Sequence, residues 1–169
     1  VCSSDLRMAS FRMGKTLVEV TYRAVDITNL EEMKHIARID ISIPALFDSD
    51  FHTDEKAVED HFNHLVKMVK PEDFYEVAMC SDQIIGFHLV KKVPYMRGLF
   101  AGSIFTLWVH PDFRGKGIAR TLKLRGEEWA RNLKLDHIHT WVSTKNEPML
   151  AANKSMGFEI VNVKFVKKL

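Results

Sequence analysis

The run Thr106-Leu107-Trp108-Val109-His110-Pro111-Asp112-Phe113-Arg114-Gly115-Lys116-Gly117-Ile118-Ala119 decides how this chain is read. An apolar segment breaks at a His-Pro turn, and two glycines then open a stretch of helical periodicity. Glycine lets a ligand approach the backbone closely. The first amides of a helix lack an intrahelical acceptor, so that point favours an anion. Arg114 and Lys116 add positive charge in the same place. The chemistry that fits is a phosphate or pyrophosphate. A P-loop is excluded, because the one Gly-Lys-Thr is Gly14-Lys15-Thr16 and Ala9 stands where its first glycine belongs. A dinucleotide fingerprint is not expected either, because Arg120 occupies the third glycine position.

Outward from this turn the chain alternates strand and helix patterns. Upstream, Leu17 to Val25 reads as a first strand. Thr28-Asn29-Leu30-Glu31 has capping-box spacing before a helix through Met33, Ile36 and Ala37. A second helix starts near Thr53, carries Val58, Phe62, Leu65, Val66 and Val69 on one face, and stops at Pro71. Phe74–Cys80 and Ile84–Val93 form a hairpin around Ser81-Asp82-Gln83, and Ser103–Val109 is the strand that enters the glycine turn. Downstream come a helix over Lys116–Leu133, a strand over His137–Val142, a short helix over Asn146–Met156 and a last strand over Phe158–Val166. The class is α/β (α+β): a mixed, mostly antiparallel sheet flanked by helices, in the order β-α-α-β-β-β-α-β-α-β.

Composition bounds the rest. With 169 residues, 46% of them hydrophobic, the chain suits one domain and is too apolar for disorder. Residues 1–16 lack apolar periodicity and are expected to be a disordered or non-native leader, with natural starts at Met8 or Met13. Residues 17–169 are then the single domain. There is no apolar run long enough for a membrane helix. Two cysteines, Cys2 and Cys80, point to a reducing, cytoplasmic setting. A near balance of 24 Lys and Arg against 22 Asp and Glu argues against a nucleic-acid binder. Paired histidines (His61 and His64, His137 and His139) lack the further ligands that zinc requires, so no metal is expected.

Arg114-x-x-Gly117-x-Ala119 resembles the acetyl-CoA motif Arg/Gln-x-x-Gly-x-Gly/Ala of the GNAT N-acetyltransferases. Asn146-Glu147-Pro148-Met149-Leu150-Ala151-Ala152-Asn153-Lys154-Ser155-Met156-Gly157-Phe158 is similar to that family's second motif, an Asn-headed short helix ending in Gly-Phe. The resemblance implies acetyl-CoA as cosubstrate and an acetyl transfer to an amine by direct attack in a ternary complex. It also implies that the strand entering the turn splays from the next one, leaving a gap for the pantetheine arm. The amides of Arg114, Gly115, Lys116, Gly117, Ile118 and Ala119 would cradle the pyrophosphate. The main chain near Val109 would polarise the thioester carbonyl, and Asn146 would touch the pantetheine, serve as a helix cap, or do both.

The pattern is incomplete where proton transfer is concerned. Asn153 holds the position at which many relatives carry a Tyr acid, and Ser103 and Thr106 stand where a carboxylate base would be expected. The catalytic residues therefore stay open, with Asn153 for the cofactor sulfur, His110 for base duty and Tyr95 for acid duty as candidates. Charge is segregated: residues 40–60 hold seven acids and one base, and residues 110–135 hold seven bases and three acids. Asp48, Asp50 and Asp54 are accordingly the candidates for attracting a cationic acceptor, a small amine, polyamine or lysine side chain on a peptide. The alternative is a non-catalytic CoA-binding sensor or interaction module. A homodimer is compatible with either reading.

Overall fold

Seven consecutive residues of one strand, Ile84 to Val90, are buried, and the other elements are arranged around them. In the computed structural model, residues 8–13, 16–46, 51–162 and 167 are described. The strands are β1 (Met8–Met13), β2 (Thr16–Ala24), β3 (Phe74–Cys80), β4 (Gln83–Pro94), β5 (Phe100–Val109) and β6 (Ile138–Thr140). The helices are α1 (Leu30–Ser42), α2 (Glu55–Met68), α3 (Ile118–Asn132) and α4 (Glu147–Ser155). The sheet runs β1-β2-β3-β4-β5-β6, antiparallel throughout except for the parallel pair β5–β6.

Strand alternation sends the side chains of β4 to two separate cores. Phe87 and Leu89 join Met33, Ile36, Ala37 and Leu65 under α1 and α2. Ile85 points the other way, to Ile118 and Leu122 of α3. Helices on both faces explain why this strand is almost continuously apolar. Arg125 of α3 and Glu76 of β3 form an ion pair, with Nη2 to Oε1 at 2.7 Å, that ties helix to sheet.

Four expectations shift. The first helix is capped by Asn29, whose side chain accepts the Glu32 amide, while Thr28 is turned aside by two hydrogen bonds to Asp26. The expectation of disorder is corrected over residues 8–13, which pair in register with residues 16–21 as an edge strand, with Phe11 edge-on to Phe113, while residues 1–7 lie outside the described residues. Its alternation is too weakly apolar to read as a strand, because an edge strand buries little. The strand expected over residues 137–142 shortens to Ile138–Thr140. In the last expected strand, residues 158–162 are irregular, and the stretch from 163 to 166 lies outside the described residues.

Candidate active site

The glycine turn has the geometry its composition calls for. Gly115 and Gly117 have φ of +71° and +82°, a region that side chains with a Cβ enter only with strain. A Cβ built at either would meet nothing within 4 Å, so open space lies over both. The first bond of α3 is Thr121 N–H to the Gly117 carbonyl at 2.9 Å, which leaves the amides of residues 117–120 ahead of the helical ladder. Arg114, Lys116 and Arg120 are exposed around this point. The Arg114 guanidinium folds back to donate to the Val109 carbonyl at 3.0 Å, locking the strand end to the turn.

β5 leads into the turn and carries an irregularity. Leu89 faces Thr106 while Val90 faces Ile104, so Phe105 is the extra residue of a β-bulge. The Thr106 carbonyl beside it accepts from His88 Nδ1 at 2.8 Å. That bond fixes the tautomer, and full burial pushes the His88 pKa down to about 4, so the ring is neutral. β5 and β6 pair only at Gly102–Ile138, Ser103–His139 and Ile104–Thr140. Beyond Ile104 and Thr140 the two part, and a cleft of about 460 Å³ opens between them. Its walls include Ile104, Thr106 and Leu107 from β5, Thr140 at the end of β6 with Trp141 to Ser143 after it, and Asn146, Met149 and Asn153 of the α4 segment.

Two polar networks reach this cleft. On the α1 side, the Thr106 hydroxyl donates to Asp40 Oδ1 at 2.6 Å, and Asp40 Oδ2 lies 2.8 Å from His61 Nε2 of α2. On the α3 side, Lys123 Nζ donates to Asn153 Oδ1 at 2.6 Å, both residues being buried. Burial lowers the Lys123 pKa to about 8.

The expected site residues fall into four groups. Asn146 and Asn153 both line the cleft; Asn146 also caps α4, its side chain accepting the Met149 amide at 3.2 Å. Residues 114–117 form the turn that follows β5, and Ile118 and Ala119 open α3; none of the six is among the residues lining the cleft. His110 and Tyr95 do not line the cleft. His110 Nδ1 accepts the Asp112 amide at 3.3 Å, and Tyr95 packs edge-on to His137. Asp54 caps α2 through a 2.7 Å bond from the Ala57 amide, and Asp48 and Asp50 lie outside the described residues. The acidic segment is also partly compensated. Glu55 and Glu59 pair with Arg38 and Lys34 of α1, which stand just before the window counted from sequence.

Sequence reasoning passed over Lys123 and the Asp40–His61 pair. A signal for Lys123 existed: it sits at helical spacing with Ala119, Gly126 and Ala130, on a stripe that should face inward. The Asp40–His61 pair joins two helices and left no local pattern to find.

The acetyltransferase (GNAT) family model matches residues 37–158, more than two thirds of the chain. This chain belongs to the GNAT acetyltransferase family. The mycothiol acetyltransferase of Thermobifida fusca is 34% identical over 95 residues, covering 53% of this chain and 29% of that protein. That of Propionibacterium freudenreichii subsp. shermanii is 27% identical over 165 residues, covering 79% and 53%. The chain thus spans about half or less of these curated relatives. Among solved structures, AAC(6')-Iy in complex with the bisubstrate analogue CoA-S-monomethyl-acetylneamine superposes with a TM-score of 0.63 at 20% identity, covering 89% of this chain and 98% of that one. Ribosomal-protein-alanine N-acetyltransferase from Brucella melitensis biovar Abortus 2308 gives 0.64 at 18%, covering 90% and 99%. Both share the GNAT fold. Among the described residues no cluster of His, Cys, Asp and Glu could hold a metal ion, and no helix is long and apolar enough to cross a membrane.

Proposed function

We propose that this GNAT domain moves an acetyl group from acetyl-CoA to an amine by direct attack within the cleft. The observation that carries the reading is the parting of β5 from β6 beside a turn whose two positive-φ glycines leave their backbone open. A thin pantetheine arm suits the gap, and its pyrophosphate suits the amides and cations of residues 114–120. The thioester supplies an activated acetyl group. The chain's own part is to hold it, exclude water, and manage two protons.

The acceptor must shed a proton as it attacks. Thr106 lies on the cleft wall, and because its hydroxyl donates to Asp40, its oxygen keeps lone pairs for an N–H donor. Asp40 and His61 behind it favour a cationic or polar amine. The mycothiol acetyltransferases among its relatives, and the aminoglycoside N-acetyltransferase AAC(6')-Iy among its fold neighbours, support a small polar acceptor. Asp48, Asp50 and Asp54 stay in the reading as longer-range attraction for it. The free thiol of Cys80 agrees with a reducing, cytoplasmic location.

The test is release of free thiol from acetyl-CoA across a panel of small amines, polyamines and lysine peptides, beside thermal shifts with CoA. Turnover with at least one amine, and its loss together with CoA binding in Gly117→Val, is the expected result. Stabilisation by CoA without turnover on any amine would favour a CoA-binding sensor instead. Unchanged CoA affinity in Gly117→Val would remove the pyrophosphate assignment.

A further inference from the structure

Lys123 is a cation where the fold has little need of one. The residue is only 3% exposed, and its Nζ donates one hydrogen bond, to the neutral side chain of Asn153. The Phe158 ring lies below it, 4.0 Å from Nζ to the ring centre. An ammonium has three donors, and among the described residues the other two have no acceptor. The charged and titratable groups around it are His88 of β4, held neutral, and Glu127 one turn further along α3, which makes its ion pair with Arg131 instead. A methionine would fill the same space without burying an unpaired charge. Lys123 and Asn153 nevertheless both stand on the wall of the cleft between β5 and β6. A buried, under-bonded ammonium facing a cleft is a donor held ready for something that enters it.

We propose that the Lys123 ammonium protonates the thiolate sulfur that departs from acetyl-CoA, with Asn153 holding it aimed into the cleft. The inference rests on the acetyl-transfer reading above. As the acceptor nitrogen forms its bond to the acetyl carbon, the electron pair of the breaking carbon–sulfur bond passes to sulfur. A Lys123 N–H bond breaks while an S–H bond forms. The products are the acetylated amine, free CoA thiol and a neutral lysine. The proton lost by the acceptor nitrogen goes to solvent, and Lys123 recovers one from water, so the cycle balances. The direction of transfer is favourable: Lys123 sits near 8 through burial, below the about 8.5 of a cysteine thiol, itself more acidic than a plain alkyl thiol. At neutral pH the lysine is therefore charged and able to donate, at little cost in driving force.

The experiment follows the bound thiol directly. Wild-type chain and Lys123→Met are saturated with CoA, and thiolate absorbance is recorded against pH. The ammonium should lower the pKa of bound thiol by about one unit in the wild type relative to the variant. Identical titrations would overturn the proposal. With an amine from the panel, kcat of Lys123→Met should fall about a hundredfold while KM for acetyl-CoA stays within about threefold. The wild-type decline above about pH 8 should vanish with the lysine. Asn153→Asp places a carboxylate against Nζ and should carry that decline to higher pH. A decline that neither variant moves would also overturn it, whatever the effect on stability. Failure of the wild type to bind CoA at all would instead reject the acetyl-transfer reading, and this inference with it.

Discussion

Removing the Lys123 charge should stabilise the fold in a pH-dependent way, and the size follows from its burial. The pKa falls from an ordinary 10.5 to about 8 on folding because the ammonium loses water. Between those values the unfolded chain holds a proton that the folded chain has released, so wild-type stability rises with pH. For a shift of this size the gain is about 2 kcal/mol between pH 8 and pH 10, and the full cost of the charge near neutrality is about 3 kcal/mol. Lys123→Met has no such charge to desolvate. It also loses the contact with Phe158 and leaves Asn153 Oδ1 without its donor, a penalty of about 1–3 kcal/mol that does not vary with pH. The pH-dependent part is thus the clean quantity. Urea unfolding of both chains at pH 7, 8, 9 and 10 measures it as a difference, in which the other lysines cancel. The stability of the variant relative to wild type should drop by about 2 kcal/mol from pH 8 to pH 10. A flat difference would mean that Lys123 is not desolvated as its burial implies and that its ammonium is satisfied by solvent.

Two further substitutions probe the walls of the cleft. Thr106→Val removes the hydroxyl that donates to Asp40 at 2.6 Å and leaves that carboxylate oxygen half-buried without a donor. We expect a loss of about 1–2 kcal/mol in urea unfolding, and a lower kcat for the amine with KM for acetyl-CoA unchanged. Gly126→Ala would ordinarily favour a helix by about 1 kcal/mol. Here the new methyl would lie 3.3 Å from both His88 Nε2 and Val90 Cγ2. His88 is pinned by the Thr106 carbonyl and cannot retreat, so a net loss of thermal stability is expected. A gain would show that the α3–β4 contact is softer than this.

How far the sequence could be read depended on how local each cause is. The two positive-φ glycines, the Asn146 cap and the β3–β4 hairpin are set by neighbours in the chain, and each was legible from residue types at fixed spacing. The paired edge strand over residues 8–13 was not, because its partner rather than its own alternation makes it a strand. The Phe105 bulge is a register difference between two strands, which no single segment encodes. The Thr106–Asp40–His61 chain spans three elements and sequence separations of 66 and 21 residues. Lys123 lies between these cases: its inward-facing stripe was visible, but its partner Asn153 sits 30 residues away.

His88 connects these observations. It lies between the bulge and Lys123, and a charge on its ring would face the ammonium across a dry interior. Its burial and its bond to the Thr106 carbonyl keep it neutral, with its pKa about 4. A neutral His88 makes the Lys123 charge tolerable, and the Lys123 charge in turn helps to keep His88 neutral. The same imidazole braces the carbonyl of Thr106, whose hydroxyl heads the other network that reaches the cleft. One buried ring therefore couples the position of the wall that would receive the acceptor to the charge on the wall that would face the sulfur. On this arrangement a change at His88 should disturb both halves of the reaction together, whereas changes at Thr106 or Lys123 should separate them.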